Sequence, residues 1–190
     1  MKRNRIAVFA SGNGTNAEEI FKYFRNHKYI KVCGVLTNNP AANVINRAAN
    51  HQLPCHIFDR KTFSDKEKMQ SILNEWEVDA VVLAGFLWLI PGYLIKQYPE
   101  RIINIHPALL PRFGGKGMYG MRVHQAVIDS GEKESGITIH QVNEEYDKGK
   151  IIFQAKCAVT PQDTAETLAG KIHDLEHRFY PKIIEQWLMQ

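Results

Sequence analysis

Cysteine is scarce and unpaired: Cys33, Cys55 and Cys157 are three residues in 190, far apart and without a CxxC spacing. That excludes a disulfide framework. Cys33 and Cys157 fall inside strand-like apolar runs, so reduced, buried thiols and a cytoplasmic location are expected. Long hydrophobic runs are also missing. The basic start Met1-Lys-Arg-Asn-Arg is followed by Ile6-Ala-Val-Phe-Ala, which ends at Ser11. It is too short for the apolar core of a signal peptide, and no segment approaches the roughly 20 apolar residues of a membrane span. Lysine and arginine are not gathered into one run. The net charge of +4 suits anionic small molecules as well as weak attraction to nucleic acid, and decides nothing alone. Repeats, low-complexity segments and linkers are absent, so 1–190 is expected to be one domain with a sizeable core.

What is present alternates between strand and helix. Apolar runs at 5–10, 30–37, 55–58, 80–84 and 102–106 read as short strands. Between them, helical spacing appears in Ile20, Phe21 and Phe24, in Val44, Ile45 and Ala48, and over residues 91–98. Ser64-Asp-Lys-Glu67 has the spacing of a capping box, starting a helix that turns Met69, Ile72, Leu73 and Trp76 inward. This alternation predicts an α/β fold: a doubly wound, mostly parallel, Rossmann-like sheet. After residue 110 the pattern changes. Phe113–Gly120 holds four glycines in eight residues, 122–130 is helical, and 135–142 with 150–159 form an appended antiparallel hairpin. Asp163-Thr-Ala-Glu166 predicts the cap of a long C-terminal helix that Pro181 should kink or split.

Two stretches carry candidate chemistry. Asn104 and His106 are two residues apart on a strand that Pro107 ends, so both point to one side at its C-terminal end. In open α/β sheets ligands bind at that edge. Ser11-Gly-Asn-Gly-Thr-Asn16, between a strand and a helix, has the ingredients of an anion site. It matches neither GxxxxGK[ST] nor GxGxxG, and the alternative is a plain glycine turn capped by Thr15 or Asn16. Leu87, Trp88, Leu89 and Ile90 lie just past the fourth strand, where an apolar loop could wall a pocket for a flat heterocycle. By itself Asp147 reads as a turn-former, Glu144 and Glu145 as a solvated face, and His140 as half-buried structure. His173 and His177 have i, i+4 spacing, but no HExxH or cysteine partner accompanies them, so no metal is expected.

With those pieces in order, the chain resembles the phosphoribosylglycinamide branch of the folate-dependent formyltransferases over essentially its whole length. Asn104-Ile-His-Pro-Ala-Leu-Leu-Pro with the later Asp147 is the signature of the wider group, Ser-Gly-Asn-Gly-Thr-Asn narrows it to this branch, and Ala84-Gly-Phe-Leu matches the stretch before the folate loop. The resemblance implies transfer of a formyl group from 10-formyltetrahydrofolate, as co-substrate and without a metal, to the glycine amine of a ribonucleotide in purine synthesis. It assigns Asn104, His106 and Asp147 to catalysis. Gly12, Asn13, Gly14, Thr15, Asn16, His173 and Glu176 would hold the ribonucleotide. Lys66, Leu87, Trp88, Leu89, Ile90 and Asn104, with Asn143, Glu144, Glu145, Tyr146 and Asp147, would hold the folate. Its partners would be these small molecules, with neither nucleic acid nor membrane, on a monomer or homodimer. Trp88 departs from the arginine common in relatives, and Gly114–Met121 is longer and richer in glycine. Other formyltransferases, acting on methionyl-tRNA or an amino sugar, a formyltetrahydrofolate hydrolase, and a flavodoxin-like carrier are the competing readings.

Overall fold

The computed structural model describes residues 3–190; Met1 and Lys2, the start of the basic N-terminus, lie outside them. One sheet of seven strands organises the molecule: β1 (Asn4–Phe9), β2 (Ile30–Thr37), β3 (Cys55–Ile57), β4 (Ala80–Leu83), β5 (Ile102–His106), β6 (Glu134–Gln141) and β7 (Ile151–Ala158). Their spatial order is β3-β2-β1-β4-β5-β6-β7. The first five are parallel, and β6 joins β5 antiparallel before returning through β7. The doubly wound sheet and its appended hairpin are therefore as the sequence predicts.

Period-two alternation divides the core. Ile6 and Val8 of β1, Val82 of β4, and Ile103 and Ile105 of β5 face one side. They pack against α1 (Thr15–Phe24), α2 (Val44–Asn50), α6 (Met121–Asp129) and α7 (Ala165–Leu188). Ala7, Phe9, Val81, Leu83 and Ile102 face the other, against α3 (Arg60–Ser64), α4 (Lys66–Glu75) and α5 (Gly92–Gln97). A strand buried on both faces needs an apolar residue at every position, which is why these read as unbroken runs.

Three local expectations are corrected. The chain makes two helices where one was predicted from Ser64. Asp59 caps α3 by accepting from the Thr62 amide at 2.7 Å, and Asp65 caps α4 by accepting from the Lys68 amide at 3.2 Å. An aspartate carboxylate is as good an N-cap as serine, so the break falls one residue later. The capping box of α7 is Thr164 with Thr167 rather than Asp163 with Glu166. Asp163 instead accepts from Lys171 at 2.6 Å and from the Thr160 amide at 2.7 Å. Finally, Pro181 does not split α7, which runs unbroken through it. Tyr180, Ile183, Ile184 and Leu188 are all buried around it, and that packing outweighs the roughly 3 kcal/mol a proline costs inside a helix.

Candidate active site

The strand order reverses between β1 and β4, so the loops leaving their C-terminal ends part and open a crevice. A cleft of about 600 Å³ fills it.

Its centre is built by strand register. Asn104 lies opposite His140, and His106 opposite Thr138, across the β5–β6 pair. All four side chains share a face, because residues two apart on a strand point the same way. Asn104 Nδ2 donates to His140 Nε2 at 3.1 Å. The loop after β5 is fastened by Thr138, whose hydroxyl donates to the Ala108 carbonyl at 2.6 Å and accepts from the Leu110 amide at 2.9 Å. Asp147 arrives from the β6–β7 connection in the left-handed region, at φ 57°. Its carboxylate stands 3.6 Å from His106 Nδ1 and 3.6 Å from His140 Nε2, and accepts from the Gly115 amide at 2.8 Å.

Hydrogen-bond partners fix where the ring protons reside. His106 Nε2 lies 2.7 Å from the Phe113 carbonyl, and His140 Nδ1 lies 2.8 Å from the Gln141 carbonyl. A carbonyl only accepts, so both nitrogens carry protons. The neutral rings therefore turn their lone pairs, His106 Nδ1 and His140 Nε2, toward Asp147. A proton entering this trio is held by one carboxylate and two imidazoles together. Burial pushes His106 below its ordinary value, against the raising pull of the Asp147 charge and the Phe113 carbonyl. Burial works to raise Asp147 too, but a hydrogen bond from His140 and the charge of His106, each once its ring has taken a second proton, together with the Gly115 amide, hold it lower than an ordinary aspartate.

On one side of this centre is the start of α1. Gly14 caps it without any side-chain hydrogen bond, so neither Thr15 nor Asn16 is the cap, and the first amides of the helix are left for a ligand. Gly14 has φ 75°, and a Cβ there would come within 2.6 Å of Val44. Arg47 braces the loop by donating to the Asn13 carbonyl at 2.8 Å and pairing with Glu18. Gly12 through Asn16 line the cleft, as do His173 and Glu176 of α7. Asn16 Nδ2 donates to Glu176 Oε2 at 2.8 Å, leaving Asn16 Oδ1 buried without a partner. Burial pushes Glu176 up to about 7, the Asn16 hydrogen bond opposing it.

On the other side is the loop 84–91. Leu87, Trp88, Leu89 and Ile90 all line the cleft, with Leu87 and Leu89 at 44% and 40% exposed. Trp88 rests on Phe58, Phe63 and Phe86. The Arg60 guanidinium covers the indole at 4.1 Å, so this wall carries a cation although residue 88 is not one. Glu145, Tyr146 and Asp147 also face the cleft. Lys66, Asn143 and Glu144 are not among its walls: Lys66 is exposed on α4, Asn143 accepts from the Glu145 amide within the turn, and Glu144 is exposed.

Some site residues were not visible as such. His140, read as structure, is 2% exposed and bonded to Asn104 beside Asp147; only its register against β5 gives it that place. Ser11 bridges the two sides: its hydroxyl donates to Asn38 Oδ1 at 2.6 Å and accepts from the Leu87 amide at 3.1 Å. Lys116, Tyr119, Arg122 and His124 add a third wall.

A sequence model of the formyl transferase family matches residues 4–184. The chain is 38% identical to a phosphoribosylglycinamide formyltransferase of Bacillus subtilis over 97% of its own length and 94% of the relative's. It is 39% and 40% identical to chloroplastic phosphoribosylglycinamide formyltransferases of Arabidopsis thaliana and Vigna unguiculata, covering 96% and 97% of itself but spanning only 65% and 61% of those proteins. Among solved structures, phosphoribosylglycinamide formyltransferase from Bacillus halodurans superposes with a TM-score of 0.88 at 38% identity, covering 97% of this chain and 95% of that one. The resemblance read from the three motifs is thereby borne out: the chain belongs to the formyl transferase family.

Proposed function

We propose that the chain transfers the formyl group of 10-formyltetrahydrofolate to the glycine amine of phosphoribosylglycinamide. The observation that carries this reading is that Asn104, His106 and Asp147 share one cleft with a helix start that has no side-chain cap and with an apolar loop. The ribonucleotide phosphate would take the α1 amides, and the pterin would lie against residues 87–90.

In this reading the amine nitrogen attacks the formyl carbon, and its carbonyl electrons move onto oxygen. Asn104 uses one amide hydrogen on His140 and keeps a second for that oxyanion. Preorganised donors of this kind contribute about 3 kcal/mol each. The new C–N bond leaves a positive amine whose proton must go. His106 Nδ1 and the Asp147 carboxylate can accept it, and it returns to the folate nitrogen as that C–N bond breaks. Because burial disfavours a charged His106, its imidazolium depends on Asp147 and on the oxyanion being present together. No redox step is involved. The three cysteines are free, in keeping with a reducing compartment such as the cytoplasm, and no described helix is long and apolar enough to cross a membrane.

The test follows folate deformylation by absorbance with phosphoribosylglycinamide, an amino-sugar nucleotide or water as acceptor. Turnover requiring phosphoribosylglycinamide is expected. Turnover with the sugar and none with phosphoribosylglycinamide would reassign the substrate.

A further inference from the structure

His124 belongs to none of the motifs above, yet it is 3% exposed and lines the cleft from the first turn of α6. Its Nδ1 is buried and has no hydrogen-bond partner. The ring nitrogen toward the cleft is therefore Nε2. With Nδ1 turned inward and unpaired, any hydrogen bond His124 makes to a molecule in the cleft falls to Nε2.

Its surroundings say which part of a ligand. The titratable groups that act on it are His173 of α7, whose ring stacks on His177 at 6.2 Å, and His106 of β5, both of which line the same cleft. One helical turn beyond His173 lies Glu176, bonded to Asn16 at the α1 start. His124 thus shares one cleft with the reacting centre and with the helix start that would take the phosphate. It is remote in sequence from the folate loop, and the Arg122 guanidinium near it is turned onto Tyr119 at 5.3 Å. Burial, reinforced by the charges of His173 and His106, pushes His124 down to about 4, so the ring is neutral at pH 7. A neutral imidazole has one proton. On Nε2 that proton can be satisfied in the cleft, while Nδ1 keeps only a lone pair to desolvate.

Resting on the function proposed above, we infer that His124 is a binding residue for the ribonucleotide, its Nε2–H donating to an oxygen of the ribosyl-glycinamide arm between amine and phosphate. Its task is to hold the arm in register with His106, without entering the chemistry.

The experiment compares His124→Gln with His124→Asn. A glutamine amide reaches the position of Nε2, and an asparagine amide reaches only that of Nδ1. Calorimetric Kd for phosphoribosylglycinamide and steady-state constants are measured for both variants and the wild type, with thermal melts to confirm folding. The asparagine variant is expected to bind the ribonucleotide about tenfold more weakly, the worth of one hydrogen bond, with folate KM unchanged. The glutamine variant should recover most of that loss. Equal affinity in both variants, or a loss shared by ribonucleotide and folate, overturns the inference while leaving the proposed function standing. A wild-type protein that binds no phosphoribosylglycinamide overturns both.

Discussion

In the proposed mechanism His106 and Asp147 have separate duties, which single substitutions can distinguish. His106→Ala removes the acceptor of the amine proton, and Asp147→Asn removes the charge that makes a buried imidazolium affordable; each is expected to lower kcat about 10²–10⁴-fold while thermal melts stay near wild type. Near-normal turnover in either would remove its assigned role. His140 tests a residue that register alone revealed. Replacing it with phenylalanine deprives Asn104 of its acceptor and Asp147 of one neighbour, so kcat is expected to fall about tenfold with both KM values little changed. A change confined to stability would return His140 to a structural part. The shared face of Asn104 and His106 on β5 was readable because strand periodicity is local, whereas the place of His140 was not, since which residue faces Asn104 depends on how β6 pairs.

The start of α1 shows what an element gains from its first residue. Gly14 combines a positive φ with close approach to Val44, so Gly14→Ala is expected to cost at least about 1 kcal/mol in a denaturant melt. It should also raise the ribonucleotide KM. Removing the side chains of Thr15 and Asn16 should raise the same KM and leave that for folate alone, as steady-state assays can check; a rise in folate KM only would show that the loop has been given the wrong ligand. Element boundaries were less legible than element types. Asp65 and Ser64 are both good caps, as are Thr164 and Asp163, and the choice between them is made by which side chains meet other partners. Lys66 illustrates the same limit: its α4 position follows from the break at Asp65, while Arg60, one helix earlier, is the cation against Trp88.

At the level of the whole molecule, the doubly wound, mostly parallel sheet and the two-sided core followed from alternating apolar runs, because burial on both faces leaves a pattern that needs no partner to be seen, whereas the order of the strands was not predicted. The split expected at Pro181 does not occur, because a proline's local cost was weighed without the packing around α7. The buried cleft groups also tie stability to pH, with opposite signs. His124 lies below its unfolded value of 6.5, so its penalty is absent above that pH and grows as pH falls toward about 4. Glu176 is raised from 4.5 to about 7, so its contribution is present below pH 4.5 and is lost as pH rises through 7. Each effect is on the order of 3 kcal/mol at most, and over much of the range they offset one another. Glu176→Gln should therefore make the melting temperature climb more steeply between pH 4.5 and 7 than in wild type; an unchanged slope would mean that Glu176 titrates as an ordinary carboxylate. Ser11 joins the loop beside α1 to the loop carrying Leu87 through one hydroxyl. The two ends of the cleft, proposed above for the nucleotide and the pteridine, are consequently pinned to a common pivot. A single compound covalently linking mimics of both would meet its two anchorages already spaced, and could gain from each without prying them apart.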